Sequence, residues 1–129
     1  CPMTDHVTSA SELLALRDAM RAFAAEREWE RFHTPKNLAM ALSIEAAELM
    51  EHFQWLTAEE SGRLDEATRS RVAEELADVL LYLVRLADRV DVDLGAAARA
   101  KLVRNAEKYP VERARGSARK YTEYRDSEE

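Results

Sequence analysis

The chain is short of the residues that staple and bend polypeptides: one cysteine, three glycines and three prolines in 129 residues. The single cysteine is Cys1, so no disulfide can close within the chain, and a reducing, cytoplasmic location is expected. Scarce glycine and proline leave little material for the many tight turns of a sheet protein. No apolar run is long enough to span a bilayer and no secretory apolar segment is present, so no membrane partner is expected. What abounds is Ala, Leu, Glu and Arg, which favour helix. The length suits a single all-α domain over residues 1–129 with a modest core, its ends (about 1–8 and 123–129) flexible.

Charge is unevenly spread. The net −6 resolves into −9 over residues 1–96 and +6 over residues 97–125, with the last four residues acidic again. An acidic body with a basic C-terminal segment suits an anionic ligand held through a cation, although a basic segment can also be no more than a solvated tail. No nucleic-acid recognition motif is present, and the basic segment would act against the acidic body, so no nucleic-acid partner is expected.

Capping signals and apolar spacing predict four main helices. Ser9-x-x-Glu12 reads as a capping box opening the first, to about Trp29, with Leu13, Leu16, Met20, Phe23 and Ala24 at helical spacing. Thr34-Pro35 reads as an N-cap with Pro at the first helical position, opening a second helix to about Leu56. Thr57-x-x-Glu60 is a second capping box, for a short turn ending near Gly62. A third helix spans about Glu66–Val90, and Asp93 can cap a fourth from Leu94 to about Tyr109, which Pro110 follows. Leu76, Leu80, Leu81, Leu83, Val84 and Leu86 go well round the third helix, and four helices cannot cover all of them. A homo-oligomer, dimer or tetramer, with this helix near the subunit interface, is therefore expected.

Two acidic pairs break the apolar pattern: Glu45-x-x-Glu48 and Glu75-x-x-Asp78. At about 100° per residue, Leu38, Leu42, Leu49 and Leu56 fall within roughly 60° of Glu45. Val72, Val79, Tyr82, Leu86 and Val90 fall within roughly 60° of Glu75. Glu48 and Asp78 stand one turn further on, at the stripe edges. E-x-x-E spacing arises by chance in a chain with 25 acids, and Glu59, Glu60, Glu66 and Glu74 read as solvated. A solvated face does not place Glu45 and Glu75 among leucines and valines. A carboxylate on a core-facing stripe must be paired, neutralised or bound to a metal, and two such pairs make a cage suited to a hard, oxygen-seeking cation such as Mg²⁺.

The order of motifs around the acids carries a family resemblance. Phe32-His33-Thr34-Pro35-Lys36-Asn37-Leu38 leads into the first pair and Phe53-Gln54-Trp55 follows it. Glu74-Glu75-Leu76-Ala77-Asp78-Val79-Leu80-Leu81-Tyr82-Leu83 carries the second. Lys101, Asn105, Lys108-Tyr109-Pro110 and Arg115-Gly116-Ser117-Ala118-Arg119-Lys120-Tyr121 come next. Over about residues 12–122 this order resembles the MazG-like, all-α NTP pyrophosphohydrolase superfamily, in its dCTP pyrophosphatase branch. The resemblance implies an oligomeric helical bundle that cleaves a nucleoside triphosphate between its α- and β-phosphates, with Mg²⁺, or alternatively Mn²⁺, as cofactor. It implies dCTP or a modified dCTP as substrate, and Glu45, Glu48, Glu75 and Asp78 as the catalytic metal ligands. One of these, with Glu48 the candidate, can instead take the proton of the attacking water.

For the base, the resemblance points to Trp29 and Trp55, and Tyr82, one turn after Asp78, faces the cage; the rings of all three can stack on a base, and the alternative for the tryptophans is a core or interface anchor. His33 is assigned to base or phosphate, against a local capping or surface role. Lys101, Asn105 and Tyr109, at i, i+4 and i+8, share a helix face suited to phosphate and sugar. Arg115, Arg119 and Lys120 are candidates to close over the phosphates. A ferritin-like di-iron bundle would need Glu-x-x-His on two helices; only Glu30-x-x-His33 exists, ahead of Pro35. The remaining alternative is a non-enzymatic nucleotide-binding or interaction module of the same fold, which turnover would distinguish.

Overall fold

Side-chain caps fix where the helices of this protein begin. Thr34 accepts from the Asn37 N–H and places Pro35 at the first position of its helix. Thr57 and Glu60 close a full capping box: the Thr57 N–H donates to Glu60 Oε1 at 2.9 Å and the Glu60 N–H to Thr57 Oγ1 at 3.1 Å. Asp65 accepts from the Thr68 N–H at 2.7 Å. The computed structural model describes the backbone of residues 2–116 and the side chains of residues 12–116. Among these the regular elements are all helical: α1 (Pro2–Glu26), a 3-10 turn (Glu30–Phe32), α2 (Pro35–Glu51), α3 (Ala58–Ser61), α4 (Glu66–Arg89), α5 (Leu94–Lys108) and α6 (Val111–Ala114). The four longest, α1, α2, α4 and α5, are the four main helices the spacing predicts.

Their ends differ from the sequence reading in three places. First, α1 starts at Pro2, so Ser9 lies inside the helix and does not cap it. Proline is tolerated at a helix start, and nothing from Met3 to Ala10 breaks the helix. Second, α1 stops at Glu26, short of Trp29. Glu28 turns left-handed (φ 56°) and the Trp29 N–H returns to the Ala24 carbonyl at 2.9 Å, a Schellman closure made without glycine. Asp91 (φ 57°) and Val92 close α4 in the same way, the Val92 N–H reaching the Ala87 carbonyl at 2.8 Å. Third, α2 ends at Glu51, not Leu56. His52, Phe53 and Leu56 bond to carbonyls three residues back, and the chain must leave the helix to reach the extended cap at Thr57. Val90, placed on the α4 stripe by spacing, is 46% exposed because the helix has already ended there.

The described residues form two compact units that divide between Asp93 and Leu94. In the first, α4 packs on α2 and on α1. The start of α2 meets the late part of α4 and its end the earlier part: His33, just before α2, contacts Arg85 and Arg89, while His52, just after it, contacts Glu75. The two helices are therefore antiparallel. The core that α1, α2 and α4 build is small: Ala24, Leu38, Val72, Val84 and Ala87. Arg21 of α1 grips Asp88 of α4 in a two-pronged pair, Nε to Oδ2 at 2.7 Å, and this bond holds the Asp88 carboxyl below its usual range. The second unit comprises α5 and α6. No described helix is long and apolar enough to cross a membrane.

Candidate active site

The i, i+3 spacing on α2 places Glu45 and Glu48 on one face, and packing brings Glu75 of α4 to them. Each offers an oxygen within 4.8 Å of the others. Glu45 Oε2 and Glu75 Oε2 are buried with no hydrogen-bond partner. Buried, unpaired carboxylate oxygens are costly, and proton uptake relieves the cost. The Glu45 carboxyl is accordingly pushed up to about 7, first by burial, then by hydrogen bonding with Glu48 and Glu75 and by the negative charges of Glu48 and Asp78. Asp78, one turn beyond Glu75, is exposed and lies outside this compact set, though Glu45 feels its charge. The four predicted acids thus divide into three converging groups and one at their margin. An all-oxygen donor set with two orphaned buried oxygens fits a hard divalent cation.

One neighbour escaped the sequence reading. His52 Nε2 lies 3.7 Å from Glu75 Oε1. The signal was present, since His52 follows Glu48 by four residues and Glu45 by seven, on the same face. A cavity of about 350 Å³ begins at His52 and is lined by Leu56, Arg63, Leu64, Asp65 and Thr68 among others. Trp55, on the turn after α2, is 86% exposed. Tyr82 is half-buried on α4, one turn past Asp78.

Trp29 and His33 form a second cluster. Ten residues of helix, about 15 Å, separate Glu75 from Arg85, the α4 residue that His33 meets. The Schellman turn aims the Trp29 ring edge-on at Phe23, centroids 5.7 Å apart, and His33 lies 6.3 Å from it. Arg85, also overlooked in the sequence, donates from Nε to His33 Nδ1 at 3.1 Å and is the one buried charged side chain among the described residues. Its signal was its place three residues after Tyr82 and seven after Asp78.

Lys101 and Asn105 lie on α5 in the second unit, and the Tyr109 N–H donates to the Asn105 carbonyl at 2.8 Å, so the three keep their helical register. Arg115 follows α6, while Arg119 and Lys120 lie outside the described residues.

Fold and centre together define an all-helical protein organised around core-facing carboxylates suited to a hard cation. Comparison with known proteins narrows the class. Residues 40–124 match the model of the MazG-like family. The chain is 48% identical over 118 residues to a Bos taurus protein named dCTP pyrophosphatase 1, covering 90% of this chain and 70% of that protein. It is 53% identical over 103 residues to the Homo sapiens protein of that name, covering 78% and 61% respectively. The crystal structure of a pyrophosphatase from Archaeoglobus fulgidus superposes with a TM-score of 0.70 at 44% identity, over 78% of this chain and 91% of that one. The chain belongs to the MazG-like family.

Proposed function

We infer that this chain is a nucleoside triphosphate pyrophosphohydrolase: it cleaves between the α- and β-phosphates of dCTP or a base-modified dCTP and releases the monophosphate and pyrophosphate, a nucleotide-pool cleansing activity. The observation that carries this reading is the pair of orphaned buried oxygens on Glu45 and Glu75, in a chain about half identical to proteins named for dCTP pyrophosphatase activity. Glu45, Glu48 and Glu75, with Asp78 at their margin, would hold Mg²⁺, or Mn²⁺ in its place. When bound, such a cation supplies charge neutralisation to the phosphate oxygens, which is most of what phosphoryl transfer asks of a protein.

The protein's own groups position the substrate. Trp29 and Tyr82 offer flat rings to the base, His33 a hydrogen bond, and Lys101, Asn105 and Tyr109 contacts to phosphate and sugar; Trp55, at the opposite end of α2 from Trp29, would reach the base from a second chain of the oligomer. The cavity beside His52 is within the size range of small-molecule sites. We also propose that residues 1–129 act as one domain in a homodimer or homotetramer. Met40 and Ile44 on α2, and Leu76, Leu80 and Leu83 on α4, form exposed apolar stripes. Exposed apolar surface on this scale marks an interface.

The deciding experiment is pyrophosphate release from a panel of deoxy- and ribonucleoside triphosphates, with and without Mg²⁺. The expected result is Mg²⁺-dependent release favouring dCTP, abolished in Glu45→Ala with the helical circular dichroism intact. No release from any nucleotide, or full activity in Glu45→Ala, refutes the assignment.

A further inference from the structure

Arg85 is a charged side chain only 3% exposed in a protein with a small core, and none of the cage chemistry calls for it. Its guanidinium carries five N–H donors and no acceptor. The 3.1 Å bond from Arg85 Nε therefore fixes His33 Nδ1 as the accepting, unprotonated nitrogen. In a neutral imidazole the ring proton must then sit on Nε2.

The surroundings hold this arrangement from several sides. Arg89 Nε donates to the His33 carbonyl at 3.1 Å. Asn37 Nδ2 donates to the Phe32 carbonyl at 3.0 Å, and Thr34 caps α2 immediately after His33. Behind them, Arg85 Nη1 lies 3.5 Å from Asp88 Oδ2, and Asp88 is itself gripped by Arg21. Three helices thus contribute to the orientation of one ring. Burial, and then the positive charges of Arg85 and Arg89, hold His33 below the usual imidazole range, which keeps it neutral near pH 7.

We propose that Arg85 is a positioning residue that fixes His33 in a single tautomer, as an uncharged Nε2–H donor to an acceptor oxygen of the bound nucleotide. The proposal rests on the reading of this chain as a nucleotide hydrolase with His33 at its substrate. The energetic logic is preorganisation. A ring free to exchange tautomers and rotate would spend part of its binding contribution on ordering, whereas one held at Nδ1 presents its donor at no further cost.

The tautomer can be read directly by two-bond ¹⁵N–¹H correlation NMR on histidine-labelled protein at pH 7.5, free of metal and nucleotide. There are three histidines, His6, His33 and His52, and a His33→Asn spectrum assigns the signal. The expected spectrum shows His33 only as the Nε2–H form. In Arg85→Leu this gives way to a mixture of tautomers, with an about tenfold rise in the Michaelis constant for dCTP, the loss of one well-placed hydrogen bond. Arg85→Gln places its amide nitrogen at the same chain position as the arginine Nε. It should restore both the tautomer and a Michaelis constant within about threefold of the parent, which a purely structural or purely charge-based role would not do. A wild-type signal from the Nδ1–H form, or a mixture, overturns the proposal. So does Arg85→Gln behaving like Arg85→Leu while circular dichroism shows both folded. A fixed tautomer lost in Arg85→Leu with no change in the Michaelis constant overturns the nucleotide contact. A fixed tautomer in a protein that hydrolyses no triphosphate fails the enzymatic reading itself, and the substrate role of His33 falls with it.

Discussion

The protonation of Glu45 makes a prediction of unusual sign. In the metal-free protein its carboxyl titrates at about 7, against 4.5 when unperturbed. Between those values the folded protein holds a proton that the unfolded chain has released. Stability from this group is therefore complete below pH 4.5 and is lost as pH rises through about 7, the reverse of the usual carboxylate behaviour. At about 1.4 kcal/mol per pH unit the rise is worth at most ~3 kcal/mol. The site is partly open to water, so screening brings this to on the order of 2 kcal/mol. For a domain of this length that is a shift of roughly 6 °C in Tm. The assay is thermal unfolding of chelator-treated protein at pH 5 and pH 8, beside Glu45→Gln, which stays neutral at both. His33, with its lowered value, titrates with the opposite sign but does so in both proteins, so it cancels in the comparison. Relative to Glu45→Gln, the parent should lose about 6 °C between pH 5 and pH 8. Millimolar Mg²⁺ should restore it at pH 8 and do little at pH 5, since the proton occupies the site the cation needs. Equal pH dependence in the two proteins refutes the claim that Glu45 is buried uncompensated. An unchanged Tm on adding Mg²⁺ at pH 8 refutes the cation site.

Three smaller predictions test other parts of the structure. Trp55→Ala should leave Tm within about 2 °C, because so exposed a ring contributes little to the fold, yet raise the Michaelis constant about tenfold by removing a base-stacking surface; a larger effect on turnover than on the Michaelis constant would place Trp55 outside base recognition. Leu38→Ala removes the most buried large side chain of the core and should cost about 2–5 kcal/mol in denaturant unfolding, and a loss under ~1 kcal/mol would mean the α2–α4 seam is not packed as described. Glu28→Gly should stabilise by roughly 0.5–1 kcal/mol, because glycine adopts the left-handed turn after α1 without strain; destabilisation in a chemical melt would show that the Glu28 side chain matters more than its backbone.

How much of the site was legible in the sequence follows from the range of each interaction. Thr34, Thr57 and the paired acids act within three or four residues of themselves, and the caps at Thr34 and Thr57 are found where their spacing placed them, whereas Ser9 lies inside α1 and Val90 past the end of α4. The helix ends at Glu26 and Glu51 were misplaced because each turn closes on local hydrogen bonds that apolar periodicity does not encode. Family membership was readable too, because it lies in the order of motifs along the chain.

The amino-acid sequence by itself determined an all-helical chain with two acidic pairs on otherwise apolar stripes, because helical periodicity and capping are short-range and act within one turn. Only the tertiary structure decided that Glu45, Glu48 and Glu75 converge while Asp78 stands at the margin, that His52 faces Glu75, and that Arg85 reaches His33. Those pairings span 23 to 52 residues and depend on the antiparallel register of α2 against α4. The raised proton affinity of Glu45 belongs with them, because it comes from water excluded by a neighbouring helix, and one helix alone excludes water from nothing.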